Sequence, residues 1–160
     1  MTAFRKFFSP HFFTTSLLLV VYASLHAQNP GTKDEILAHG QMIRDAFALG
    51  DVEKIRSLHH PEVVKALAYN DLKNGRAEVM EGLVGTLASF QLEFLENDVE
   101  SILIKGDIAI EQTRFAIKGT PKNGGDSWVF KGRTLVTYIK YEESPTGWAT
   151  IREIIQPATE

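Results

Sequence analysis

Apolar positions follow three regimes along the chain. The first is an unbroken run, Leu17 to Ala23 (LLLVVYA). The second is a stretch of helix-spaced apolar residues through the middle of the sequence. From Leu92 onward the period shortens to two, as in strands. Thr32-Lys33-Asp34-Glu35 opens the helical stretch as a capping box, the Thr hydroxyl accepting the third amide while Glu35 reaches back. Ile36, Ile43 and Phe47 share one face, with Met42, Ala46 and Leu49 beside them, and predict a first helix. Gly50 suits a left-handed stop, and Asp51 caps a short second helix through Leu58. His59-His60-Pro61 is expected to end it, because proline disfavours a helical residue before itself.

A short strand is expected over Val63 to Tyr69, and Asn74-Gly75 marks a turn with Gly75 at positive φ. Arg76 is then free to pair with an acid on the short-strand side. Val79, Leu83, Leu87 and Phe90 carry a third helix from about Arg76 to Phe90. Gly82 and Gly85 each weaken it by about 1 kcal/mol, which implies close packing on their side. In the period-two region, Val99–Lys105 and Ile108–Lys118 flank Gly106-Asp107, a tight hairpin signal. Gly119 to Asp126 is a loop, Ser127–Tyr141 a long strand, Glu142–Gly147 a turn and Trp148–Gln156 the last strand. Consecutive hairpins after early helices predict an α+β fold: three N-terminal helices packed on a curved antiparallel meander.

The N-terminus changes the picture of where the chain works. Arg5 and Lys6 precede the apolar run, which is too short to span a bilayer comfortably, and Ala27 offers a small residue before Gln28. Residues 1–27 read as a signal peptide and residues 28–160 as a single domain with its core over about 32–156. The expected location is exported, in a bacterial periplasm or outside the cell. No cysteine occurs anywhere, so disulfides, thiolate chemistry, Cys-ligated metals and N-terminal Cys lipidation are all absent. No Asn-x-Ser/Thr site occurs either. The 160 residues carry a net charge of −3, and loss of Arg5 and Lys6 takes the exported chain to −5. Such a surface predicts neither nucleic acid nor membrane as partner.

The order of elements, with a short strand pair between the second and third helices, resembles the SnoaL-like branch of the nuclear transport factor 2-like superfamily. The residues carrying the resemblance are Ala46-Phe47-Ala48-Leu49-Gly50-Asp51, His60-Pro61-Glu62-Val63-Val64 and Gly75-Arg76. Gly132-Arg133-Thr134 and Gly147-Trp148, leading into Ile151, complete it. The resemblance covers nearly all of residues 32–156. It implies a cone whose open end forms a pocket between helices and sheet, and commonly a homodimer through the outer sheet face. Enzymes, ligand binders and plain interaction modules have all used such a pocket, so the residues must decide.

The isomerase chemistry of that superfamily requires a carboxylate base on the short strand and a donor opposite it to hold an enolate oxygen. Val63-Val64-Lys65-Ala66-Leu67-Ala68 contains no acid; Glu62 lies before it and Asp71 after it. His59 and His60 could act as bases or ligands, but adjacent residues at a helix end diverge, and His39 stands apart on the first helix. A histidinium meeting the helix dipole is the simpler reading. Nothing in the chain calls for a metal or cofactor. Tyr69 could present a phenol at the cone mouth or simply cap the core. Glu111, Arg114, Arg133, Arg152 and Glu153 interrupt apolar strands. A pocket-facing Arg would bind a carboxylate or phosphate; outward-facing ones would form cross-strand ion pairs. One of Arg133 and Arg152, but not both, is expected inside. Trp128 and Trp148 open the last two strands and suit a cone rim or a dimer seam.

The pocket candidates are therefore Tyr69, His60, Glu111, Trp128, Arg133 and Arg152. The expected function is binding of a small organic ligand. The alternatives are an isomerase-, dehydratase- or hydrolase-type enzyme, or a dimerisation module with no ligand.

Overall fold

Thr32 caps helix α1 (Lys33–Leu49), its Oγ1 accepting the Glu35 amide at 3.2 Å. The Glu35 carboxylate, expected to reach back within the box, instead accepts the Trp148 indole N–H at 3.0 Å and the Lys140 ammonium at 3.2 Å. The computed structural model describes residues 32–158, so the expected leader, residues 1–27, lies outside the described residues. Gly50 takes the left-handed conformation that stops α1, and Asp51 caps α2 (Val52–Ser57) through the Lys54 amide.

The histidines do not close α2. That helix ends at Leu58, and His59 starts strand β1 (His59–Ala68), which therefore begins four residues before the predicted Val63. Strand β2 (Asp71–Asn74) returns antiparallel to β1 and runs straight into α3 (Gly75–Ser89). Four long strands follow: β3 (Phe90–Lys105), β4 (Ile108–Pro121), β5 (Trp128–Lys140) and β6 (Trp148–Pro157).

The six strands form one sheet in the order β2-β1-β6-β5-β4-β3. Hairpin partners pair antiparallel as expected, but β1 lies parallel to β6, so the sheet is mixed rather than a pure meander. Extra residues sit in β3 at Leu95 and Glu100, in β1 at Leu67 and in β6 at Ile151. Each such bulge bends its strand and raises its twist, which curves the sheet around the helices.

Two apolar clusters fix the helices in the concavity. Ala46, Ile55, Val63, Val79, Met80, Leu87 and Leu92 join α1, α2 and α3 to one end of the sheet. Ile36, Ala109, Val136, Tyr138 and Trp148 join the start of α1 to the other. Fully buried side chains of the size of Ile36, Ile55 and Leu58 each contribute about 1.5–3 kcal/mol by leaving water. Leu49, expected beside the apolar face of α1, is exposed at the helix end.

Gly75 has φ +81 and joins β2 to α3. Gly75→Val is expected to lower stability by about 1–3 kcal/mol, because a β-branched residue resists this region. Thermal unfolding checks it, and a wild-type midpoint would refute it. Among the described residues Arg76 pairs with no acid; its guanidinium donates to the His59 carbonyl at 3.1 Å and ties α3 to β1. The expected close packing at Gly82 and Gly85 is also absent. Among the described residues, a Cβ on Gly85 would meet nothing within 4 Å, and one on Gly82 only the end of Lys73.

Candidate functional site

Residues on the concave side of the sheet line up in rows across the strands. His59, Thr150, Tyr138 and Ala109 are successive register partners on β1, β6, β5 and β4. The next row is Lys65, Glu153, Val136 and Glu111, and a third contains Ile155, Thr134 and Thr113. The three rows thus place eight polar or ionisable side chains between the two apolar clusters.

These rows floor a cavity of about 470 Å³. Phe47, Phe94, Phe115, Phe130, Met80 and Leu83 supply apolar wall, while Asp71, Lys73, Gly82 and Trp128 line its more exposed end. Trp128 packs edge-on against Phe90 and lies so close over Gly119 that a Cβ there would overlap the indole. A shallower groove of about 550 Å³ between α1 and β3 is lined by Gln41, Asp45, Gln91 and Glu93. It reaches none of the buried polar rows, so the chemistry belongs to the first cavity.

Three buried cavity-lining groups have an atom with no hydrogen-bond partner among the described residues: His59 Nε2, Glu111 Oε2 and Thr150 Oγ1. The His59 Nδ1 lies 2.7 Å from the Ile55 carbonyl, which can only accept, so Nδ1 carries the proton. Burial, with the Lys65 charge nearby, holds the imidazole pKa well below its ordinary value. His59 is therefore a neutral ring whose Nε2 is an acceptor without a protein partner among the described residues. This replaces the expected histidinium at a helix end.

Glu111 accepts the Thr113 hydroxyl on Oε1 at 2.8 Å, leaving Oε2 facing the cavity. Burial raises its pKa, opposed by the Thr113 hydrogen bond and by the positive charge of Arg44. Tyr138 is kept protonated by burial and by the negative charge of Glu111. Helix α1 lies over this pair at Gly40: a Cβ there would sit 3.2 Å from Arg44 Nη1, 3.6 Å from Glu111 Oε2 and 3.7 Å from the Tyr138 hydroxyl. Lys65 and Glu153 form a 2.5 Å ion pair with side chains 10% and 16% exposed, and Glu153 also accepts the Thr134 hydroxyl. Among the described residues no three metal-ligating side chains cluster, so the site offers acid–base and hydrogen-bonding chemistry.

Of the six residues singled out by sequence, Glu111 and Trp128 line this cavity. Tyr69 stands fully exposed at the β1–β2 turn, because the strand carries it past the edge of the sheet. His60 points away from its neighbour, packs on Tyr141 with ring centroids 4.9 Å apart, and accepts the Glu62 amide. Neither arginine enters, contrary to the expectation that one would. Arg133 grips both oxygens of Glu100 at 2.8 Å on the outer face, which lowers the Glu100 pKa to about 2. Arg152 donates to the Glu62 and Ile151 carbonyls. The bulge at Ile151 explains the misplacement. Trp148 and Thr150 face inward, the extra residue flips the alternation, and Glu153 rather than Arg152 turns into the cavity.

No protein-family profile matches the sequence, and no curated protein matches it. Solved structures do. The shape is shared with a nuclear transport factor 2-like superfamily protein from Salmonella enterica serovar Typhimurium, at TM-score 0.67 and 15% identity over 80% of this chain and 92% of that one. The chain has the nuclear transport factor 2-like fold. A dehydratase candidate of that family from Streptomyces avermitilis aligns at TM-score 0.68 and 18% identity, over 79% of this chain and 96% of the other. A ketosteroid isomerase-like protein from Erwinia carotovora atroseptica aligns at 0.65 and 15%, over 79% and 96%. The short strand carries Lys65 and no acid over Val63–Ala68, and the carboxylates on the cavity floor come from β4 and β6. The sequence singled out Glu111 because a charge breaks an apolar strand. Tyr138 and Thr150 gave no such signal, since each suits an ordinary core, and His59 was weighed with His60 but assigned to a helix end.

Proposed function

We propose that this chain binds a small organic molecule in the concave cavity, apolar body against the phenylalanines and polar end on the two buried rows. One observation carries the reading: three buried polar atoms that lack partners among the described residues all line one apolar-walled space. Leaving such atoms unpaired costs about 1–3 kcal/mol each, which a bound polar group would recover. The volume lies within the range of small-molecule sites.

Protein purified without denaturation should carry an organic adduct in native mass spectrometry, with lower occupancy in Glu111→Gln. Bare protein from several expression hosts, together with no melting shift from any small apolar alcohol or ketone, would sink the reading.

A second reading, an enzyme of isomerase or dehydratase type, is favoured by the raised pKa of Glu111 beside protonated Tyr138. The likeness to structures described by those activities supports it. Here Glu111 would exchange a proton with the ligand while Tyr138 donates to a developing oxyanion. Turnover that vanishes in Glu111→Gln while binding persists would separate this from simple binding.

Membership of the SnoaL-like branch, export and homodimerisation belong to the same proposal. The outer sheet face exposes Leu95, Leu103, Leu135 and Ile154 around the Arg133–Glu100 pair, a surface that a second copy would cover. Light scattering tests the dimer, and N-terminal sequencing of exported protein, expected to start at Gln28, tests the leader.

A further inference from the structure

The unpartnered atoms restrict the kind of polar group the cavity accepts. At one station, His59 Nε2 is an acceptor whose tautomer is fixed by the Ile55 carbonyl. Its register partner on the neighbouring strand is Thr150, whose hydroxyl is also unpartnered among the described residues. At the other station, Glu111 Oε2, the Tyr138 hydroxyl and Arg44 Nη1 approach the same point below Gly40, the guanidinium answering part of the carboxylate's charge. Each station thus joins a bare acceptor to a hydroxyl that can donate.

A hydroxyl satisfies both members at once from a single atom, since it gives one hydrogen bond and accepts others. An ether only accepts and leaves His59 unmet. An ammonium only donates and leaves the Thr150 proton unmet. A carboxylate accepts without donating and adds charge beside Glu111 and Glu153. The cation nearest the floor is no substitute receptor for an acid, because the Lys65 ammonium is tied to Glu153. Arg44 gives Nη2 to Gln41 at 2.8 Å, and its remaining charge faces the Glu111 carboxylate.

We infer that the polar end of the cavity is a hydroxyl receptor, built to take an alcohol or phenol on an apolar ring skeleton and to reject the same skeleton bearing a carboxylate or an ether. The inference rests on the ligand-pocket reading and adds its selectivity. A site that hydrogen-bonds a hydroxyl discriminates strongly against the analogue lacking it, because its own buried groups are then left unpaired.

Calorimetric titration of the full chain with naphthol, methoxynaphthalene, naphthoate and naphthalene tests it. Naphthol is expected to bind at least about tenfold more tightly than each of the other three. Thr150→Val and Glu111→Gln, both near-isosteric, are expected to shrink that preference without weakening naphthalene; if both variants keep it in full, the inference falls. Naphthoate or methoxynaphthalene binding as tightly as naphthol would overturn the inference while leaving the pocket standing. Failure of all four to bind would overturn the pocket reading and the inference with it.

Discussion

Lys65→Met is expected to cost about 3–5 kcal/mol of stability, measured by urea unfolding at neutral pH. The Lys65–Glu153 pair lies on the cavity floor with little solvent on either partner. Removing the ammonium leaves a carboxylate held there by β6, with the Thr134 hydroxyl as its one hydrogen-bond donor among the described side chains. The double replacement Lys65→Met/Glu153→Leu should recover most of the loss, because it removes the stranded charge as well as the attraction. A single variant as stable as wild type would mean that water or another cation screens Glu153. Arg133→Met on the outer face is the contrasting case: its pair with Glu100 lies open to solvent, and only a small change is expected.

Acid should unfold the chain through its buried histidines. His39 is fully buried on α1, where Nδ1 meets the Thr146 hydroxyl at 2.6 Å and the ring packs edge-on against Tyr138. Burial lowers its pKa to about 4, and His59 is shifted in the same direction. The folded chain therefore holds both rings neutral while the unfolded chain protonates them near pH 6.5. Stability is complete above that value and falls as the pH drops toward 4. The shift on His39 corresponds to about 3 kcal/mol. Glu111 acts in the opposite sense: its raised pKa lets the folded state take a proton before the unfolded one, partly offsetting the loss. Urea midpoints at pH 7 and pH 4.5 should differ clearly in wild type and less in His39→Phe. Equal pH slopes in the two proteins would show that His39 is not the group responsible.

The helices and hairpins were legible because local pattern decides them: a capped amphipathic run, a Gly at positive φ, a change of period after Leu92. The parallel contact of β1 with β6 was not, because it joins residues about 90 apart and no local signal encodes it. The fate of Arg152 turned on one extra residue. Alternation assigns faces only while the count stays regular, and Ile151 breaks the count where the pocket residues lie. His59 was misread for a related reason. Next to a proline, a His-His pair looks like a helix end, and only the strand that follows buries the first ring. Glu111 was legible because charge within an apolar strand is costly enough to require a reason.

Gly119 holds space for Trp128 by having no side chain of its own. The width of the cavity entrance therefore depends on one codon on the opposite strand. Any replacement at 119 must evict the indole, and with it one wall of the entrance, while the polar floor several residues away along β4 stays in place. Selectivity for ligand size can thus drift or be engineered separately from the chemistry beneath it, giving one scaffold room to change its cargo without rebuilding its core.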